Sequence, residues 1–387
     1  TAASVSYYTA FRDKLGDIEG LSDVDRQALL NRALAATRDH VIPAYRALRS
    51  KLQQLHGLAP STIGVRLYPM SREYYDYTVR HRTTTDLSAA EIHQLGRDHL
   101  QRVHAEMRVI FDELGYPENE SLGELYQRVA QDGGIIPAAE VKATYETIID
   151  AAELELDAAF DIFPSADVVV LDDEYGGFYI GPSFDGSRPG AFYASTRFNE
   201  PWYSMPSLTY HEAIPGHHTQ IAIAMELEGV PLIRRFGLFT AYVEGWALYA
   251  ERVAYELGLM PTNADNIGRL MAELFRAVRL VVDTGIHHKR WTREEAIEYM
   301  LANTGMAESD VISEIERYIV LPGQATAYKV GMMKILKLRE KAMNELGDKF
   351  DLRDFHDVVL KNGAVPLDIL ERIVNDYIAS TLTAERA

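Results

Sequence analysis

The run Tyr210-His211-Glu212-Ala213-Ile214-Pro215-Gly216-His217-His218 cannot sit on one undistorted helix and still act as a unit. His211 and His217 are six residues apart, which on a regular helix turns the second roughly 120° away from the first. Pro215 lacks the N–H that would bond the carbonyl of His211, and its ring crowds that carbonyl. Gly216 permits backbone angles closed to other residues. A bulge at this pair is expected to absorb two residues and return His217 to the side of His211, as interruptions of helices gather at functional sites. His218 is the competing partner, in phase with His211 but roughly 10 Å further along the axis. The plainer reading of Pro-Gly is a simple break between two helices.

Two imidazoles and a carboxylate, with a glutamate beside the first histidine, are the parts of a zinc hydrolase. Some thirty residues on, Glu244-Gly245-Trp246-Ala247-Leu248-Tyr249-Ala250-Glu251 offers the carboxylate. Val243, Trp246, Ala247 and Ala250 make one apolar face, so Glu244 should point inward, and inward carboxylates are paired or metal-bound. Glu251, two turns later, is either the ligand or a hydrogen-bond partner of a ligating histidine. Glu212 points elsewhere around its helix and suits a general base. A lone His-Glu pair arises often by chance; three histidines with two inward glutamates do not.

The rest of the chain permits this chemistry. Its 387 residues are 47% hydrophobic and 25% charged, as in a packed globular protein, and no linker, repeat or low-complexity tract divides them. One domain over residues 1–387 is expected. A net charge of −18 argues against nucleic acid and anionic membrane as partners. The absence of cysteine excludes disulfides, thiolate zinc sites and cysteine nucleophiles. No apolar run approaches a membrane span. The chain starts at Thr1 rather than methionine, in keeping with an upstream segment having been removed, and the compartment stays open between cytoplasm and exterior.

Periodicity predicts a mainly α protein. Ser22 starts a long amphipathic stretch to Leu55, kinked by Pro43; Ser88 with Glu91 and Ser121 with Glu124 are capping boxes, the first heading a helix to about Leu114; Pro137 begins a helix reaching Phe163. Three short β-rich runs, Val168–Val170, Gly177–Ile180 and Ala191–Ala194, read as a small sheet or hairpin over about residues 166–196. Helices resume at Pro206, with breaks near Gly229, Gly258, Gly285, Gly305 and Gly363. A sheet edge beside a zinc site can hold an extended peptide through main-chain hydrogen bonds.

Further candidates lie outside the two motifs. Tyr328 is a possible oxyanion donor, though one of 22 tyrosines, and Gln324 or Lys329 could hold a substrate terminus. Arg188, in a turn, is a candidate cation for a carboxylate. Asp283, His287 and His288, with Arg276 and Arg279 before them, are read as an ion-pair network or as outer support and alternative ligands, and His81 as a solvated or salt-bridged loop histidine.

The runs His211 to Gln220, Glu244 to Glu251 and Pro322 to Lys329 resemble the bacterial domain of unknown function 885 family, as do Arg80 to Asp86 and Asp283 to Lys289. The likeness covers most of the chain. Members are commonly longer at the N-terminus, so a catalytic portion without a leading segment is expected. The family is similar in turn to mostly helical gluzincin peptidases such as thimet oligopeptidase and the Taq-type carboxypeptidases. That similarity implies a large helical zincin-like body with a deep cleft, and favours His217 over His218 as ligand. It makes Arg188-Pro189-Gly190-Ala191-Phe192 a substrate-binding edge strand and Tyr328 the residue that stabilises the transition state. The departure is the two-residue insertion in the metal helix.

The expectation is therefore a zinc metallopeptidase of short peptides, with His211, His217 and Glu244 on the ion and Glu212 as base. A non-catalytic peptide-binding helical protein, or a zinc hydrolase of non-peptide amides or esters, are the alternatives. Oligomeric state is not legible.

Overall fold

Serine caps open helices where their chemistry requires. In the computed structural model, which is mainly helical and describes residues 1–237 and 239–383, the chain divides into two compact units, Thr1–Thr62 and Ile63–Ala387. The first unit holds α1 (Ser6–Gly16), α2 (Asp23–Ala36) and α3 (Ile42–Leu58). Ser22 Oγ caps α2 by accepting from Asp25 N. The kink predicted at Pro43 takes the form of a π-helical turn over Thr37–Val41, with Ile42 N donating to Thr37 O. Proline in the first turn of α3 has no N–H to offer and crowds the carbonyl a turn earlier, which a wider turn relieves.

The second unit starts with α4 (Ser71–Thr83), α5 (Ala89–Glu113), α6 (Leu122–Gly133) and α7 (Ala138–Glu153). Both expected capping boxes form, Ser88 with Glu91 and Ser121 with Glu124. Helix α7 stops ten residues before Phe163; the chain turns so that Leu156, Ala159 and Phe160 all enter the core.

Five strands follow or interleave: β1 (Ile135–Ile136), β2 (Val168–Asp172), β3 (Phe178–Ile180), β4 (Gly190–Ala194) and β5 (Glu200–Pro201). The short β1 and β5 pair with each other; the other three form one sheet in the order β2-β4-β3, parallel between β2 and β4 and antiparallel between β3 and β4. Strand β4 is therefore central. Its Ala191 to Tyr193 segment is paired on both sides, which corrects the expectation that Arg188 to Phe192 forms an edge. Gly190 N donates to Asp167 O and Ala194 O accepts from Asp173 N, so even-numbered residues of β4 bond to β2. Ala191 and Tyr193 are left for their partners Ile180 and Phe178, and the backbone N–H and C=O of Tyr179 face the open edge of β3.

The remaining helices are α8 (Met205–Glu212), α9 (His217–Glu226), α10 (Leu232–Phe236), α11 (Thr240–Glu256), α12 (Asn263–His287), α13 (Arg293–Thr304), α14 (Glu308–Val320), α15 (Ala327–Leu346), α16 (Leu352–Leu360) and α17 (Leu367–Thr383). Helix α12 runs unbroken through Gly285, where a break was expected. A Cβ there would collide with the ring of Trp291, so this glycine serves close packing rather than chain reversal. Helices α11 and α15 cross in backbone contact: a Cβ on Gly245 would lie 2.5 Å from Gly331 Cα. Two apolar clusters fill the unit, one around Phe160, Phe192, Trp246 and Phe355, the other around Met107, Phe111, Leu274 and Tyr318. Each such side chain contributes about 1.5–3 kcal/mol on burial, which anchors α8, α11 and α12 as a rigid frame.

Candidate metal centre

The helix carrying the first motif is broken, not bulged. Helix α8 ends at Glu212, residues 213–216 form a link with a cis Ile214–Pro215 bond, and α9 starts at His217. Gly216 presses so closely on the chain that a Cβ would strike the His211 and Tyr210 carbonyl oxygens, which only glycine avoids. Trp246 Nε1 donates to Pro215 O at 2.9 Å, tying the link to α11. In place of one bulged helix there is a short turn between two helices, bridged by His218 N donating to Ala213 O at 3.1 Å. The consequence predicted for the histidines still follows: their rings lie 4.9 Å apart between centroids, near perpendicular.

Glu244 Oε2 of α11 stands 3.6 Å from His211 Nε2 and 3.4 Å from His217 Nε2. Zinc bonds its nitrogen and oxygen ligands at about 2.0–2.1 Å, so two donors of a tetrahedral site lie about 3.3 Å apart. The separations match that edge and are long for hydrogen bonds. Two of the three ligand–ligand separations thus suit an ion held between His211, His217 and Glu244. A second grouping overlaps this one: one donor atom each from His211, Glu212 and His217 lies within 4.8 Å of the others. About a fifth of the Glu244 side chain stays open to solvent, while His211, Glu212 and His217 are buried.

Electrostatics follow from this enclosure. Burial resists ionisation of Glu244, yet the two imidazoles overcome it and hold the carboxylate well below its ordinary range. Burial also resists charge on His211, but Glu244 and Glu251 outweigh it and lift the imidazole to about 9. Glu212 is pushed up by burial against the pull of both histidines. Glu251 accepts from His211 Nδ1 at 2.8 Å and from Ser207 Oγ, so Nε2 is the nitrogen turned to the cluster. His217 Nδ1 and Gln220 Oε1, on the same side of α9, are buried with no partner.

Residues 2–374 match the family described as "Bacterial protein of unknown function (DUF885)". The chain belongs to this family. Among solved structures it is similar to "the putative lipoprotein from Colwellia psychrerythraea", with a TM-score of 0.93 and 40% identity over 98% of this chain and 68% of that one. It shares its fold with "a putative lipoprotein of unknown function from Shewanella oneidensis", with a TM-score of 0.73 and 21% identity over 95% of this chain and 69% of that one. Comparison with curated proteins gives no match. No described helix is long and apolar enough to cross a membrane.

Other candidates in this DUF885 member fall elsewhere. His218 turns away from the cluster: Nδ1 meets Tyr179 Oη at 2.8 Å and Nε2 meets Ala166 O at 3.0 Å, and burial holds it down to about 4. It braces the sheet against α9. Lys329 is fully buried on Glu273 (2.5 Å), which also binds Arg102 and Arg269, so it is not placed to grip a substrate terminus. Arg188 is exposed, donating to the carbonyls of Pro189 and Gly181 in its own loop. Asp283 accepts from Tyr75 Oη (2.5 Å) and Gly323 N (3.0 Å), and His287 bridges Val65 N and Tyr318 O; both hold the turn before α15. His288 borders a cavity of about 380 Å³ with Arg72 and Arg80, and His81, expected in a loop, lies in the last turns of α4, where its ring stacks on Tyr77 one turn earlier. Gln324 Nε2 donates to Tyr328 Oη at 3.3 Å. Tyr328 lies one turn before Gly331 on α15 and Glu244 beside Gly245 on α11, the two glycines at which these helices touch.

Sequence reasoning missed Ser207 and Trp246 as supports. Ser207 lies one turn before His211, and Trp246 two residues after Glu244; both signals were present but neither names its partner without the fold.

Proposed function

We propose that this protein is a zinc-dependent metallopeptidase of short peptides, working in a cleft of a helical zincin-like body related to the gluzincins. The observation that carries the reading is the Glu244 carboxylate, set 3.4 and 3.6 Å from two imidazole nitrogens at the spacing of ligands around an ion. His211, His217 and Glu244 would hold the zinc. Bound zinc supplies Lewis acidity toward water and toward the scissile carbonyl. Glu212 takes one proton from the attacking water, whose oxygen bonds to the carbonyl carbon. As the C–N bond breaks, Glu212 hands that proton to the amine nitrogen. Its burial, which favours the protonated form, suits a carboxylate that must hold a proton between the two steps. Tyr328, oriented by Gln324, donates to the developing oxyanion.

The substrate backbone pairs with the open edge of β3 at Tyr179, replacing the segment from Arg188 to Phe192 in that role. Tyr179 Oη binds His218, next to His217, which ties this edge to the metal helix. The lipoprotein descriptions of the two solved relatives support an extracytoplasmic location, checked by cell fractionation.

Elemental analysis of protein purified without added metal should return about one zinc per chain. Glu212→Gln should keep that zinc and lose about 10²–10⁴-fold in peptide turnover. Wild-type turnover in this variant would remove the assigned base.

A further inference from the structure

Among the described residues Arg276 has no carboxylate partner; its guanidinium lies 5.4 Å from the centre of the Phe275 ring. Nη1 donates only to Ala272 O of its own helix at 3.3 Å, and Nε is buried with no partner at all. The acids around it are engaged elsewhere. Glu273 binds Lys329, Arg102 and Arg269; Glu251 binds His211 and Ser207; Glu314 binds Arg279.

Its position on α12 sets where the free charge faces. Residues 273, 276 and 279 follow one another at helical spacing on one side of α12. Glu273 reaches Lys329 at 2.5 Å, and the Arg279 guanidinium lies 4.7 Å above the Tyr328 ring. Arg276 is bracketed by two contacts to the first turn of α15, and Tyr328 is the proposed oxyanion donor. Helix α12 also packs on α8 and α11, which carry His211, Glu212 and Glu244.

We infer that Arg276 recognises the C-terminal carboxylate of a peptide substrate, so that the site cleaves near the carboxyl end of its substrates. This rests on the peptidase reading and narrows it. The Arg276 side chain is half-buried with its Nε shut from water, so an anion would make up the hydration that nitrogen has lost, and the planar fork matches a carboxylate with two parallel hydrogen bonds. A transient oxyanion is present for too little of the cycle to meet that need.

The test uses two peptides differing only in a C-terminal acid or amide. Calorimetry on Glu212→Gln protein reads binding, and wild-type zinc-loaded protein reads kcat/KM. The acid should bind about 10–100-fold more tightly than the amide. Adding Arg276→Met should abolish that ratio and leave both peptides at the amide level. Arg276→Lys, which keeps the charge but loses the fork, should retain a reduced ratio, and melting temperatures confirm that each variant folds. Equal binding of acid and amide by the parent, or a ratio that survives Arg276→Met, overturns the inference. So does an equal loss of kcat on both substrates with binding intact, which would assign Arg276 to the transition state. Failure of the peptidase reading looks different: neither peptide is cut by the zinc-loaded wild type, whatever the binding ratio.

Discussion

Glu251 touches no substrate in this scheme, yet it decides which nitrogen of His211 reaches the ion. Its carboxylate, steadied by Ser207, accepts Nδ1–H at 2.8 Å and leaves Nε2 as the donor toward the cluster. Outer partners of this kind are worth about 10–100-fold in metal affinity. Glu251→Ala should therefore weaken zinc binding by that factor in competition with a chelator, while Glu212→Gln should not. Lys329 makes the opposite case. The sequence offered it as a substrate cation, but its ammonium is spent on Glu273 in the core. Lys329→Met should lower stability by about 3 kcal/mol in chemical unfolding and leave KM nearly unchanged in whatever folds. A raised KM at undiminished stability would return Lys329 to the substrate. Nothing in local sequence separates these two charged residues; what separates them is which neighbour each meets.

At the scale of elements, capping was readable and interruption was readable only in part. Ser22, Ser88 and Ser121 announce their helices because a cap is a local bond spanning three residues. Pro215-Gly216 announces a distortion, but its choice between bulge and break depends on Trp246 Nε1 reaching Pro215 O from another helix. Gly285 misled for the same reason: a glycine demanded by a distant tryptophan looks, in sequence, like a glycine demanded by a turn. Gly331 is a further glycine of this packing kind. A Cβ there would run into Ala241 O, so Gly331→Ala should force α11 and α15 apart. We expect a loss of about 1–3 kcal/mol, seen as a lowered melting temperature, together with weaker zinc binding because Glu244 moves with α11. Unchanged zinc affinity would show that the crossing does not position Glu244.

For the whole molecule, buried neutral histidines make stability depend on acid. His356 donates Nδ1–H to Ala159 O (2.8 Å) and accepts from Tyr249 Oη (2.7 Å), and burial holds it down to about 3. The unfolded chain takes up that proton near pH 6.5, so between about 6.5 and 3 it binds more protons than the folded one. Stability is thus full above about 6.5 and falls as pH drops, by about 1.4 kcal/mol per pH unit for this group. His93 and His99, each held at about 4 chiefly by burial, add to the slope. Melting temperatures should fall from pH 7 to pH 4, and less steeply in His356→Gln if the variant folds; a flat profile would contradict the protonation states assigned here. The sequence by itself determined the helical character, the capped starts, the exclusion of thiolate chemistry and the shortlist of ligands, because each follows from residue type or from bonds a few positions long. Only the tertiary structure decided that His217 faces Glu244 while His218 faces the sheet, that β4 lies inside its sheet, and that Lys329 is sealed while Arg276 is not. Those outcomes depend on contacts between helices far apart in the chain, and the distance between two such side chains is a property of packing, absent from the order of the residues.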